Sequence, residues 1–398
     1  MNAKLDPALR EAVRREVTAL TDQLVSIRRE FHRHPEVAMQ EEETSRRIRE
    51  RLEALGIPYT VKARTGVVGR IHGSGDGPTV ALRADIDALP IQEENEVDYK
   101  SRVDGVMHAC GHDGHMAMLL GAAAVLNKLR GEFSGDIVLL FQPSEEKIPG
   151  GALPLIEEGA LDGVDYVVGT HLWAALPVGQ IGVVHGAAMA AADEFRIEVI
   201  GKGGHGSMPH QTVDALVVGC QVVDALQTVV SRSVDPLDPA VLSVGTFQAG
   251  TNFNIIAPRA VMTGTVRSLS QDVRELIKSR MARIVRAVCD AAGAEFRFDY
   301  KEGYPPLVND DQVTDLVEEL ARGLVGEANV VELRPNMGGE DFAYYLQKVP
   351  GCFFFTGGGN PEKGIEFPHH HPRFDFDEDA LPIGTRLLVE SALALMRG

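Results

Sequence analysis

Apolar and charged positions recur with a helical period over residues 7–31, Leu, Val and Ile on one side and charges on the other, which predicts a surface helix capping other structure. From Val61 onward, short apolar strands alternate with helical stretches. Strands are predicted at residues 66–71, 79–84, 136–141 and 165–170, with a helix over about 115–130. This alternation predicts an α/β domain with a mostly parallel sheet. Two of the strands run into polar residues, Gln142-Pro-Ser-Glu-Glu146 after one and His171 after the other. The C-terminal ends of strands are where open α/β sheets place their ligands. Gly357-Gly-Gly359 reads as a short loop.

Around Ala187 the texture changes. Residues 194–200 alternate apolar and polar, as a half-exposed strand does. A helix is predicted over 212–231, strands at 240–248 and 260–268, a second helix at 271–292 and a strand at 295–300. The order βαββαβ predicts a ferredoxin-like α+β module inserted between two halves of the first domain. The expected organisation is a catalytic domain of residues 1–188 and 302–398 and an inserted lid or dimerisation domain of residues 189–301. A length of 398 residues exceeds what one hydrophobic core usually serves, in keeping with two domains.

Charge narrows the function classes. With 57 acidic against 39 basic residues the formal net charge is -18, which argues against nucleic acid and against an anionic membrane surface. The opening Met1-Asn-Ala-Lys-Leu-Asp-Pro7 has no apolar core of the kind a signal peptide needs. The longest nearly apolar run, residues 116–126, is too short to span a bilayer. A soluble, cytoplasmic protein is expected. The four cysteines, Cys110, Cys220, Cys289 and Cys352, show no disulfide spacing; Cys220 and Cys289 lie in apolar helical contexts and are expected to be buried.

The chemistry is crowded into a few places. Met107-His-Ala-Cys-Gly-His-Asp-Gly-His115 holds three of the chain's 13 histidines, a cysteine and an aspartate. These side chains bind transition metals. Phe141-Gln-Pro-Ser-Glu-Glu146 sets two adjacent carboxylates in a turn, where neighbouring side chains diverge, so one can bind a metal while the other addresses a water. His171 follows an apolar strand, and Phe367-Pro-His-His-His-Pro-Arg-Phe374 adds three consecutive histidines. Alone, the acidic pair reads more readily as an ordinary loop and His171 equally well as a structural histidine, whereas the 107–115 segment already favours a metal site. Together they supply a thiolate, at least three imidazoles and a carboxylate from four separated segments. That exceeds the three protein ligands of a mononuclear catalytic zinc and fits two metal ions about 3.5–4 Å apart.

The chain resembles the zinc amidohydrolases and carboxypeptidases that include aminoacylases, hippurate hydrolases and plant indole-acetyl-amino-acid hydrolases. The resemblance is carried by His108-Ala-Cys-Gly-His-Asp113, Gln142-Pro-Ser-Glu-Glu146, Gly204-His-Gly-Ser-Met-Pro-His210, Gly338-Gly-Glu-Asp-Phe342 and His370-His-Pro-Arg-Phe374, and covers nearly the whole chain. It implies that Cys110, His112, Glu146, His171 and His370 bind two divalent ions (zinc, manganese, cobalt or nickel) and that Glu145 is the general base. His369 and His371 stand as alternates to His370. Where peptidase branches of the superfamily carry His-x-Asp before a proline, this chain has Asp85-Ile-Asp-Ala-Leu-Pro90, so Asp87 is assigned to orienting a ligand. The resemblance further implies that His205, flanked by glycines, reaches the reacting carbonyl as a lid closes. Asn254, Gly338 and Gly339 resemble substrate-contacting positions, with Arg267 as an anion partner. The implied activity is hydrolysis of N-acyl-L-amino acids of the hippurate type, in a homodimer or homotetramer. The competing activities are those of an N-carbamoyl-amino-acid hydrolase, a dipeptidase or carboxypeptidase, and a non-catalytic metal-binding protein.

Overall fold

A computed structural model describes residues 5–397. Residues 1–4, part of the stretch from which the absence of a leader was inferred, lie outside the described residues. The chain falls into two compact units, one running to Gly186 and including Val308–Arg334 and the chain from Asp341 on, the other Ala187–Leu307 with Pro335–Glu340. Residues 302–307 and 335–340, expected in the first unit, group with the second.

The first unit holds eight strands in one sheet: β1 (Tyr59–Lys62), β2 (Gly66–His72), β3 (Thr79–Asp85), β4 (Asp136–Gln142), β5 (Tyr166–Pro177), β6 (Ile181–Val183), β7 (Val330–Glu332) and β8 (Gly351–Gly359), in the order β1-β2-β4-β3-β5-β8-β6-β7. The middle four, β4-β3-β5-β8, are parallel. β3 is buried along its whole length, as a strand covered on both faces must be. The sheet as a whole is mixed, because β1 and β2 form a hairpin, β2 runs antiparallel to β4 and β6 antiparallel to β8. The expected α/β class holds; the largely parallel sheet is confined to its centre and to the β6/β7 pair.

Gly357-Gly-Gly359 is the end of β8 and not a loop. A Cβ at Gly357 would collide with the carbonyl oxygen of Pro177, and one at Gly359 with that of Ala174. Glycine is needed there because two backbones meet, a long-range cause that local composition does not carry.

Helix α1 (Pro7–Arg33) starts at an Asp6 N-cap with Pro7 in its first turn and stops just before Pro35. Leu9, Val13, Val17, Leu24, Ile27 and Phe31 form its buried stripe. Helix α2 (Glu42–Ala54) follows. Helix α3 (His112–Lys128) begins three residues earlier than the sequence pattern indicates, after Gly111 in the left-handed region at φ 89°. Its side chains are buried nearly all round, so it is a core helix.

The second unit has four antiparallel strands in the order Ala240–Ala249, Arg259–Ser268, Ala191–Ile200, Glu295–Lys301. This is the order of a split βαββαβ, ferredoxin-like, as expected. Helices Ala215–Ser233 and Gln271–Ala292 build its core with Ile197, Val222, Leu226, Met262, Ile277 and Met281. The first is apolar and long enough to cross a bilayer by composition, yet its Val218, Val222, Leu226 and Val229 are packed in that core. Cys289 is buried as expected, whereas Cys220 is exposed, because it lies off that stripe.

Candidate metal centre

Register places the chemistry. Asp85 of β3 is aligned with Gln142 of the parallel β4, so the residues that follow, Asp87 and Pro143–Glu146, emerge side by side at the C-terminal edge. His171 lies in β5, the other parallel neighbour of β3. Cys110 and His112 stand at the start of α3, and the His370 N–H donates to the Ala109 carbonyl at 2.8 Å, which ties the C-terminal histidine loop to the same edge. His370 itself sits in a left-handed conformation at φ 65°.

Ligand atoms of Cys110, His112 and His171 lie within 4.8 Å of one another, as do those of Cys110, Glu146 and His370, and those of His112, Glu145 and Glu146. One cluster therefore gathers all five donors expected from sequence together with Glu145. Cys110 Sγ is 3.6 Å from His171 Nε2, and Glu146 Oε1 is 3.9 Å from His112 Nε2. His370 Nε2 stands 3.2 Å from the same Glu146 oxygen, close enough for an ion pair though without hydrogen-bond geometry.

Hydrogen bonds fix which nitrogen each imidazole presents. His112 donates its Nδ1–H to the Asp87 carbonyl at 2.8 Å, and His171 donates its Nδ1–H to the Leu172 carbonyl at 2.6 Å. A carbonyl can only accept, so Nδ1 carries the proton in both rings and Nε2 is the nitrogen turned to the cluster, the one left bare in the neutral imidazole that a metal binds. His115 differs. Its Nδ1–H donates to Asp85 Oδ1 at 2.6 Å and its Nε2 accepts the Leu172 N–H at 2.8 Å, so both nitrogens are committed. Of the histidine-rich segment, Cys110 and His112 share the groupings with Glu146, His171 and His370, while His115 groups with His112 and Asp85. His108 is buried with neither nitrogen hydrogen-bonded and is held neutral by burial, at a pKa of about 3. Asp113 pairs with Arg28 and His32, each at 2.8 Å. His369 accepts the Ala174 N–H at 3.2 Å and His371 stacks on Phe367.

The electrostatics call for a cation. Burial pushes the Cys110 thiol up, and the Glu146 and Glu145 carboxylates push it further. Burial alone would lower His112, yet Asp85 and Asp87, with Glu146, raise it to about 10. Burial and the neighbouring His115 and His369 hold His171 well below its usual value. For Glu146, burial acts upward and is outweighed by His370 and His112, leaving a carboxylate. His112 Nε2 and Glu146 Oε1 are buried without hydrogen-bond partners. A donor set of thiol, imidazole and carboxylate with such orphaned lone pairs fits divalent metal ions.

Asp87 sits behind the cluster. Its Oδ1 accepts the Glu145 N–H at 2.9 Å and its Oδ2 the Glu146 N–H at 3.0 Å, so it orients both carboxylates through their backbone as well as His112 through its own carbonyl.

The remaining candidates all fall in the second unit, in two places. His205 is exposed, its Nδ1 accepting from Ser207 N–H and Oγ, and Gly206 donates to the Asn254 carbonyl at 2.8 Å. This pair adjoins the Arg259 end of the strand Arg259–Ser268, near Ile200. Arg267 is at the other end, eight residues along, about 26 Å at 3.3 Å per residue. A Cβ on Gly339 would come within 3.4 Å of Arg267 Nη1, and the Gly338 N–H bonds to Asn336 Oδ1. Burial pulls the Arg267 guanidinium below its usual range. Within this unit His205 and Asn254 form one group and Arg267, Gly338 and Gly339 another.

Comparison with known proteins agrees with this geometry. An N-acyl-L-amino acid amidohydrolase of Geobacillus stearothermophilus is 49% identical over 306 residues, 76% of this chain and 82% of that one. Thermostable carboxypeptidase 2 of Saccharolobus solfataricus is 44% identical over 389 residues, covering 97% of this chain and 98% of its own. The crystal structure of Bacillus subtilis YXEP, described as a dinuclear metal-binding peptidase of the M20 family, superposes with a TM-score of 0.84 at 37% identity, over 96% of this chain and 99% of that one. Residues 81–394 match the model of peptidase family M20/M25/M40. The chain belongs to that family, as a hydrolase of its amidohydrolase kind.

Proposed function

We propose that this hydrolase cleaves the amide bond of N-acyl-L-amino acids of the hippurate type, releasing a carboxylic acid and an amino acid, with two divalent ions held by Cys110, His112, Glu146, His171 and His370. The observation that carries this is Glu145, a carboxylate among the donors whose neighbour Glu146 faces His112 and His370. A site that only bound metal would not need it. When bound, the ions supply Lewis acidity to the amide carbonyl and lower the pKa of water. Glu145 takes the proton of the attacking water and delivers it to the leaving amine. Asp87 holds Glu145 and Glu146 in register, and His112 and His171 keep Nε2 forward. His205 donates to the developing oxyanion from the second unit of a second copy, acting as a lid. Gly338, Gly339 and Arg267 contact the substrate carboxylate, while Asn254, which stands with His205 about 26 Å along the strand from Arg267, contacts the carbonyl from a second copy together with that histidine.

Self-association is part of this proposal. The strand Ala240–Ala249 is an edge of its sheet, and exposed Phe247, Phe253 and Ile255 lie on or near it, which supports a homodimer, or a homotetramer built from it. Light scattering on the purified protein measures this directly.

A second activity is kept because the Saccharolobus relative is named a carboxypeptidase. The deciding experiment is hydrolysis of hippurate, N-acetyl-methionine, indole-acetyl-alanine, N-carbamoyl-phenylalanine and Gly-Leu by chelator-treated protein, with and without added divalent metal. Metal-restored cleavage led by hippurate or another N-acyl amino acid supports the proposal; preference for the dipeptide or the carbamoyl substrate replaces it.

A further inference from the structure

We infer that Glu41 is a positioning residue for the turn that carries Glu145 and Glu146. The inference rests on the proposed roles of those two carboxylates. Glu41 occupies the N-cap of α2, where a carboxylate ordinarily accepts the helix's own first N–H groups. It makes no such bond. Glu36 does that work, accepting the Glu43 N–H at 3.2 Å and the Thr44 N–H at 2.8 Å. Glu41 instead turns inward and is fully buried.

Its Oε1 accepts the Ser144 N–H at 3.0 Å and the Met39 N–H at 2.9 Å, and its Oε2 accepts the Thr65 hydroxyl at 2.8 Å. Five non-glycine residues among those described have positive φ, and two of them, Met39 at 63° and Ser144 at 56°, are the two whose N–H groups Glu41 holds. The left-handed conformation is unfavourable for a residue with a Cβ and persists where surroundings impose it.

The turn leaves β4 and so loses its ladder partners, and Pro143 has no N–H. The next three N–H groups, of Ser144, Glu145 and Glu146, are taken by two buried carboxylates, Glu41 for the first and Asp87 for the other two. The turn is walled on both sides: a Cβ on Gly66 would come within 2.9 Å of Pro143 Cδ, and one on Gly151 would collide with the Pro143 carbonyl. Glu41 thus fixes the φ of the residue just before Glu145. Without it a buried N–H is orphaned, Ser144 is drawn toward φ < 0, and both functional carboxylates move.

The test uses Glu41→Ala, Glu41→Gln, Glu41→Ala/Ser144→Gly and, as a control, Glu145→Gln. Hydrogen exchange on metal-free folded protein reads the turn itself, and kinetics with metal read its consequence. For Glu41→Ala, exchange at residues 144–146 speeds up, kcat falls about 10- to 100-fold, the range for lost supporting partners, and KM changes little. Gly at 144 accepts φ > 0 without strain, so the double variant regains a large part of kcat, which a general loss of stability would not permit. Glu41→Gln keeps a carbonyl acceptor and loses less than Ala; it serves if Glu41→Ala does not fold. Wild-type kcat and unchanged exchange at 144–146 in a folded Glu41 variant overturn the inference, and so does a loss that Ser144→Gly leaves unrepaired. Failure of the underlying roles looks different: Glu145→Gln would retain wild-type turnover whatever the Glu41 variants do.

Discussion

The part of the donor cluster formed by Cys110, His112 and Glu146 and the candidate oxyanion donor His205 are built in opposite ways. Around Cys110, His112 and Glu146 the functional atoms are buried and their orientation is dictated by backbone: the Asp87 and Leu172 carbonyls set two tautomers, and Asp87 holds the Glu145-Glu146 amides. The His205 side chain in the second unit is exposed and bonds to Ser207, two residues away. The first arrangement is complete before any substrate arrives. The second leaves an exposed side chain able to take up a partner. Substitutions in the two regions should therefore fail differently.

The largest effect is expected at Cys110. Cys110→Ala removes the sulfur shared by two of the donor groupings, so metal content and activity fall together. Metal analysis of purified protein checks this, and full occupancy would remove Cys110 from the ligand set. Next comes Glu145→Ala, which takes away a proton acceptor and leaves every donor in place. The turnover number should fall about 10²- to 10⁴-fold, the usual contribution of general acid–base catalysis, with metal content near wild type. Turnover retained by that variant would end the general-base role.

His205→Ala sharpens the comparison from the other side. An oxyanion donor is worth about 10²- to 10³-fold in turnover. Because the ring is exposed, metal content and thermal stability should both stay at wild-type values, as calorimetry and metal analysis would show. A fall in metal content would mean that the two regions are not separable in the way their burial suggests.

The two regions were also unequally legible. The donors announce themselves in sequence because their residue types are rare and crowd into a few short segments; only Glu146 follows a strand end, since β5 runs on past His171 to Pro177 and Cys110 and His112 stand at a helix start. What a linear pattern lacks is the hydrogen bond that decides a role. His112 and His115 are one helical turn apart and chemically identical, yet only His112 keeps a free Nε2, since His115 spends both nitrogens on Asp85 and Leu172. Glu41 reads as one of several acids at a helix start, and its bond to Ser144 spans 103 residues. The mixed sheet and the glycine-ended β8 were missed for the same reason: strand direction and backbone approach are settled between distant segments. The ferredoxin-like order was readable because its hairpin and helices are local.

The smallest expected effect tests whether proximity alone makes a site. His185 Nε2 lies 3.1 Å from Asp315 Oδ1 and 3.8 Å from Glu318 Oε2, so a second histidine–carboxylate triad meets the same distances as the donor cluster. Nothing else about it matches. Asp315 is well exposed, and Glu318 already has a cation in Arg322 at 2.8 Å. An exposed carboxylate keeps its hydration and gains little from an ion. His185→Ala should leave metal stoichiometry unchanged, turnover within about twofold and stability within about 0.5 kcal/mol, the usual range for a surface substitution. Loss of one equivalent of tightly bound metal in this variant would show that proximity suffices. The carbonyl-fixed imidazoles of His112 and His171 would then explain less than they are asked to here.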